Sequence, residues 1–283
     1  LSNKLNLYSE EIPRITLQEL VNTDVDIYSY CQQLETPLYN ITDINKVFPS
    51  LEQWAPIFLE NKIGDSTVKV NTSETNVFVD YHHPLEIILK DYSKKINSDN
   101  PNSDGNLYLS ALNIDQNFPV LKSEIYFDSL LPLEKLGLKW LWYGPKGNTT
   151  GLHYDSSDNF FMQLYGEKRW ILSEPNSTLN LHPRSSLSKR PAISDFNPQI
   201  PDFDKFPKAK KVKFLDLRMQ PGTILYIPSF WWHQVESCST SISVNIWCKT
   251  SMIKFNWGAA HLLPLLIKSL PGMIKGYLAN KFK

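Results

Sequence analysis

The stretch that decides the fold is Gly147-Asn148-Thr149-Thr150-Gly151-Leu152-His153-Tyr154-Asp155, followed by Asn159-Phe160-Phe161-Met162-Gln163-Leu164-Tyr165-Gly166-Glu167-Lys168-Arg169-Trp170. On a strand, residues two apart project to the same face, so His153 and Asp155 can reach one metal ion. A further histidine, His233, closes the run Ile227-Pro228-Ser229-Phe230-Trp231-Trp232-His233. Two imidazoles and one carboxylate on one side of an ion leave its other positions open. Ferrous iron uses that arrangement to hold a chelating co-substrate and oxygen together. A structural zinc site would want four closed ligands, usually including thiolates. Taken alone His-x-Asp is a weak signal, and His82, His83, His182 and His261 read as ordinary histidines.

Outward from this tract, short apolar or β-branched runs alternate with turn residues. Residues 107–112, 138–143, 160–165, 169–173, 214–217, 223–227 and 241–247 are strand-like, and Gly144-Pro145, Gly147-Asn148, Gly166, Pro221-Gly222 and Pro228 separate them. Many short strands at such intervals predict a β-sandwich or barrel. The span 175–213 differs. It is long, rich in Pro, Ser and Asn, and ends in a basic run from Lys205 to Lys213. Such insertions are more often functional or mobile than core, and the basic run reads first as a solvated loop.

Upstream, residues 24–34 predict a helix with Ile27, Tyr30, Cys31 and Leu34 on one face. Ser50 is a candidate cap before 51–59, a segment that Pro56 interrupts. Residues 68–70 and 77–79 read as short strands. Residues 84–96 read as a helix, with Leu85, Ile88, Leu89 and Tyr92 on one side. A polar loop over 97–106 is the best boundary in the first half. The expected organisation is a mixed α/β region over 1–105, a β core over 106–250 carrying the 175–213 insertion, and a helical segment over 251–283. That last segment is too apolar to leave wet. It packs on the body or on a second copy, which makes it a candidate dimerisation element.

Composition narrows the function. Lysine plus arginine and aspartate plus glutamate both total 29, so formal charge is zero, which argues against a general nucleic-acid binder. With 42 % hydrophobic and 12 % aromatic residues the chain can bury a sizeable core. Cys31, Cys238 and Cys248 are too few and scattered for a disulfide framework. A reduced intracellular compartment, cytoplasmic or nuclear, is therefore expected. The longest apolar run, 262–267, contains Pro264 and is far short of a bilayer span, and no signal-peptide pattern opens the sequence. No membrane association is expected.

The two quoted segments, together with Pro221-Gly222-Thr223-Ile224-Leu225-Tyr226-Ile227-Pro228, Trp231-Trp232-His233 and Ser243-Val244-Asn245-Ile246-Trp247, resemble the cupin-type JmjC hydroxylases. The likeness is greatest to their asparaginyl-hydroxylase branch, that of factor inhibiting HIF. It covers roughly residues 106–250 in order and spacing. It implies a mainly β fold with flanking helices around a double-stranded β-helix, or jelly roll. It implies Fe(II) held by His153, Asp155 and His233, with 2-oxoglutarate and O2 as co-substrates. Lys168 matches the lysine that holds the distal carboxylate of 2-oxoglutarate, and Tyr108 and Thr150 match hydroxyls on the same group. Asn159 and Asn245 match polar residues near metal and co-substrate, and Trp247 an aromatic wall. Trp231, Trp232, Phe160, Phe161 and Tyr226 are candidates for a dry apolar surround.

One departure stands where that branch has Tyr-Leu-Gln-Gln. Here the sequence is Tyr108-Leu109-Ser110-Ala111, so Ser110 replaces a glutamine that would touch the target peptide. The expected activity is hydroxylation of a protein or peptide side chain with release of succinate and CO2. The alternatives are N-methyl-lysine demethylation, hydroxylation of an RNA nucleoside contacted by the basic run, and, least favoured, a non-catalytic metal-binding cupin.

Overall fold

A computed structural model of the chain describes residues 50–79, 82–98, 101, 106–125 and 131–248, with shorter pieces between 5 and 42. The segment 251–283, including its expected helices and His261, lies outside the described residues.

Sixteen strands are described. From the first hundred residues come β1 (Asn6–Tyr8), β2 (Ile15–Thr16), β3 (Leu38–Tyr39), β4 (Ile41–Thr42), β5 (Thr67–Ser73), β6 (Val77–Phe78) and β7 (His82–Ile88). Then follow β8 (Asn106–Asn113), β9 (Lys139–Gly144), β10 (Thr149–His153), β11 (Asn159–Tyr165), β12 (Lys168–Ser173), β13 (Lys213–Met219), β14 (Thr223–Ile227), β15 (Trp232–Ser237) and β16 (Ser241–Trp247). The sheets run β1-β13-β12-β15-β10-β6 and β3-β14-β11-β16-β9-β8-β5-β7, with a separate β2-β4 pair. The eight consecutive strands β9 to β16 divide four and four between the two large sheets, in the orders β10-β15-β12-β13 and β9-β16-β11-β14. This is a jelly roll, as the resemblance implies.

The two-residue period of each strand sorts its side chains into layers. Phe161, Leu225 and Ile227 of one sheet meet Trp170, Leu172, Leu217 and Val235 of the other, and they fill the space between the sheets. Their neighbours Phe160, Met162, Ile224 and Tyr226 face the opposite way. They pack under helices α1 (Ile27–Leu34), α2 (Pro56–Ile63) and α3 (Leu89–Ile96). Leu152, Tyr154, Ile171 and Trp232 face outward from the other sheet and are covered by Leu181, Phe196, Phe203 and Val212 of the 175–213 span. The insertion is thus a packed layer with its own core, not a loose loop. Its residues 192–194 run beside β10: Tyr154 N donates to Ala192 O at 3.1 Å and Ser194 N to Leu152 O at 2.9 Å. Its lysines Lys205, Lys208, Lys210, Lys211 and Lys213 are exposed, as a solvated run should be.

Two local expectations are corrected. Residues 84–96 are not one helix. Strand β7 occupies the first part, paired with β5 from Thr67↔Ile88 to Thr72↔His82, and α3 begins only at Leu89. The apolar spacing there suits either element, and the non-local pairing decides it. Pro56 does not interrupt a helix but starts one: it lies at the first helical positions of α2, where a missing N–H costs nothing. Cys31, Cys238 and Cys248 are free thiols. Among the described residues no helix is long and apolar enough to cross a membrane.

Gly151 is where β10 comes closest to its neighbours. A Cβ there would sit 2.1 Å from Val79 Cγ1, and valine has little freedom to yield. Gly151→Ala should therefore lower stability by about 1–3 kcal/mol, read as a fall in thermal midpoint. An unchanged midpoint would contradict this close approach.

Candidate metal centre

Strands β10 and β15 pair antiparallel, and His153 stands directly opposite His233. The register shifts between Thr150 and His153. Strict alternation would put Thr150 and His153 on opposite faces; the bulge re-phases the strand so that both line one cavity. Asp155 follows just past the strand end and lines the same cavity. Candidate ligand atoms of His153, Asp155 and His233 all lie within 4.8 Å of one another, with His233 Nε2 3.8 Å from Asp155 Oδ2.

Each imidazole is oriented by its own strand. His153 Nδ1 is 2.7 Å from Gly151 O, and His233 Nδ1 is 2.9 Å from Trp231 O. A carbonyl can only accept, so the proton sits on Nδ1 and the Nε2 lone pair is free for a metal. Asp155 Oδ2 accepts a hydrogen bond from Trp247 Nε1 at 2.9 Å. Burial pushes His233 down to about 4, the nearby His153 adds to the shift, and Asp155 partly opposes it. His233 is therefore neutral at pH 7, the form that ligates.

The cavity as a whole is about 350 Å3, mouth included. It is lined by Tyr108, Trp142, Thr150, Asn159, Phe161, Lys168, Trp170, Val235 and Trp247 beside the three ligand candidates. In the β12–β15 ladder Leu172 pairs with His233, Trp170 with Val235 and Lys168 with Ser237. Lys168 therefore stands two pleat repeats, about 13 Å along the strand, from the level of His233. It is 1 % exposed. Its ammonium reaches Ser237 Oγ at 3.1 Å and Tyr108 Oη at 3.3 Å. Among the described residues no carboxylate pairs with it, and burial drives it down to about 7. Nearby, Trp170 Nε1 is buried without a hydrogen-bond partner. A buried cation lacking an anion is costly; a ligand carboxylate would supply one.

These donors fit a divalent metal with an anionic, chelating co-substrate. Residues 37–252 match the cupin-like domain family. The chain belongs to that family. Among its relatives, Jumonji C domain-containing protein 5 of Drosophila melanogaster is 29 % identical over 208 residues, 71 % of this chain and 51 % of that protein. JmjC domain-containing protein C of Dictyostelium discoideum is 33 % identical over 146 residues, 50 % and 35 % of the two chains. Lysine-specific demethylase 8 of Xenopus tropicalis is 26 % identical over 204 residues, 71 % and 45 %. The chain spans about half or less of the length of these curated relatives. The JmjC branch of the cupins is one of Fe(II)- and 2-oxoglutarate-dependent oxygenases, and this cupin carries the matching His-Asp-His set.

The structure brings eight of the nine residues singled out in the sequence to the cavity wall. The ninth, Asn245, lies behind it. Its amide donates to Asn159 Oδ1 at 2.9 Å, and its own Oδ1 accepts from Trp142 Nε1 at 2.7 Å. Sequence reasoning missed Trp142, Trp170 and Val235. Trp170 shares a face with Lys168 by simple alternation and could have been found so. Of the expected apolar surround only Phe161 faces the cavity. Phe160 and Tyr226 pack under the helices, Trp231 lies in the inter-sheet core, and Trp232 packs under the insertion. Ser110 is buried and accepts from Asn71 Nδ2 at 2.6 Å.

Burying Lys168 without an anion costs stability. Between pH 7 and its ordinary value, Lys168 is neutral in the folded protein but protonated in the unfolded chain, so the native state gains stability as pH rises through that window. Lys168→Met should raise the thermal midpoint of the ligand-free cupin at pH 7 by several degrees. The advantage should shrink by pH 9. A lower midpoint for the variant at pH 7 would contradict the unpaired-cation reading.

Proposed function

We propose that this cupin is an Fe(II)- and 2-oxoglutarate-dependent oxygenase that hydroxylates a side chain of a protein or peptide. The observation that carries the reading is the meeting of His153, Asp155, His233 and the acid-free Lys168 in one cavity. His153 Nε2, His233 Nε2 and an Asp155 carboxylate oxygen would hold Fe(II). Lys168, Tyr108 and Thr150 would hold the distal carboxylate of 2-oxoglutarate. When bound, iron and 2-oxoglutarate supply the oxidising chemistry: one atom of O2 enters the substrate, the other enters succinate, and CO2 leaves.

The chain's own residues do the rest. Trp247 fixes the Asp155 carboxylate, and the backbone carbonyls of Gly151 and Trp231 fix the imidazole tautomers. The hydrogen-bonded row Trp142–Asn245–Asn159 holds a polar wall inside an otherwise apolar sandwich. Phe161, Trp170 and Val235 limit the water that reaches the centre.

Within this class an asparagine target gains no support from Ser110, which is turned to Asn71 rather than to the cavity. N-methyl-lysine demethylation uses the same centre. Similarity to the lysine-specific demethylase 8 of Xenopus tropicalis makes it the second reading; formaldehyde release distinguishes it. The zero net charge weighs against the RNA reading.

Incubated with Fe(II), ascorbate, 2-oxoglutarate and candidate peptides, the protein should add one oxygen to a peptide by mass spectrometry. Asp155→Ala and His153→Ala should lose that turnover while remaining folded by circular dichroism; wild-type activity in Asp155→Ala would contradict the assignment. A second test uses the protein loaded with Mn(II) at pH 8. Lys168, held down to about 7 when unpaired, should pick up a proton as its partner anion arrives. Calorimetry in buffers of different ionisation enthalpy should show uptake approaching one proton per 2-oxoglutarate. Buffer-independent heats would remove Lys168 from the site.

A further inference from the structure

The turn Pro228-Ser229-Phe230-Trp231 joins the two halves of the centre. Phe230 has φ +67°, a left-handed conformation that a bulky aromatic residue rarely adopts. Strain of this kind persists only where the surroundings over-determine it. Phe230 N donates to Asp155 O at 2.7 Å, and Trp231 O orients His233. The spacing of Asp155 and His233 is therefore set through these four residues.

What holds the turn from the other side is Asp158. Its carboxylate belongs to a residue that is 1 % exposed. Oδ1 accepts from Ser229 N at 2.9 Å. Oδ2 accepts from Tyr28 Oη and from Gln32 Nε2, both at 3.0 Å. Tyr28 and Gln32 lie one turn apart on α1, which belongs to no strand of the jelly roll. The backbone of Asp158 is fixed as well, because Cys248 N donates to its carbonyl at 2.8 Å.

We infer that Asp158 is a positioning residue for the metal centre: its carboxylate clamps the strained Ser229–Phe230 turn, and helix α1 secures the clamp. The inference rests on the metal reading given above. Any buried carboxylate needs donors; this one takes them from the backbone of the turn that links Asp155 to the His233 strand and from a helix outside the sheets. Docking of α1 thereby becomes part of what defines metal affinity, although α1 contributes no ligand candidate.

The test uses Mn(II) alone as probe, with binding followed by titration and by its EPR spectrum. Asp158→Asn should remain folded, weaken Mn(II) binding about 10–100-fold, as loss of an outer-shell partner does, and alter the spectrum of the bound ion. Tyr28→Phe should shift both in the same direction by less, and it carries the test if Asp158→Asn fails to fold. Leu121→Ala, in the core under the helices, serves as control: it should lower the thermal midpoint with Mn(II) affinity unchanged. If wild type binds Mn(II) while both variants bind it equally well with an unchanged spectrum, the positioning role is overturned and the metal reading survives. If wild type binds no Mn(II), the metal reading falls and takes this inference with it.

Discussion

The pairing of β10 with β15 is the constraint on which the centre depends. In that register His153 stands opposite His233, and the two rings come within 4.2 Å between centroids. One imidazole from each of two adjacent strands, with each Nδ1 tied to a carbonyl of its own strand, gives two lone pairs fixed by backbone geometry rather than by side-chain packing. The β-bulge ahead of His153 and the tight passage at Gly151 belong to the same solution. They turn a strand that must also pack outward on the insertion so that His153, its candidate ligand, faces inward.

Around this pair the sandwich interior is split by polarity. Leu172, Leu217, Leu225 and Ile227 make a dry core, whereas Lys168, Tyr108, Asn159 and Asn245 put donors and acceptors in the same layer. Most of these polar groups satisfy one another. Lys168 meets only the hydroxyls of Tyr108 and Ser237, with no anion beside it among the described residues, and burial works against its charge. Folding alone would be better served by an apolar residue there. The cost fits the proposed role, in which an anionic co-substrate would lie against the ammonium.

Much of this was legible in the sequence, for a local reason. The ligand tract, the strand-like runs after residue 106 and the lysine at 168 are encoded within short windows, where alternation and motif spacing carry the signal. What was not legible depends on partners far along the chain. Trp142 faces the cavity because of how β9 pairs with β16. Phe160 and Tyr226 face away from it because helices cover that side of their sheet. Residues 84–88 become a strand because β5 is beside them. The 175–213 span looks like a loop by composition. Its Leu181, Phe196, Phe203 and Val212 are spaced without period, yet they converge on the outer face of β10 and β15. Asp158 had no motif at all; its meaning appears only when α1 and the 228–231 turn meet on it.

A structure of the protein crystallised without oxygen, with Mn(II) and 2-oxoglutarate, tests the central claim most directly. The account predicts one metal ion at about 2.0–2.2 Å from Nε2 of His153, Nε2 of His233 and a carboxylate oxygen of Asp155, with the far carboxylate of 2-oxoglutarate at about 2.7–2.9 Å from Lys168 Nζ. Metal bound elsewhere, or a co-substrate whose carboxylate turns away from Lys168, would contradict it.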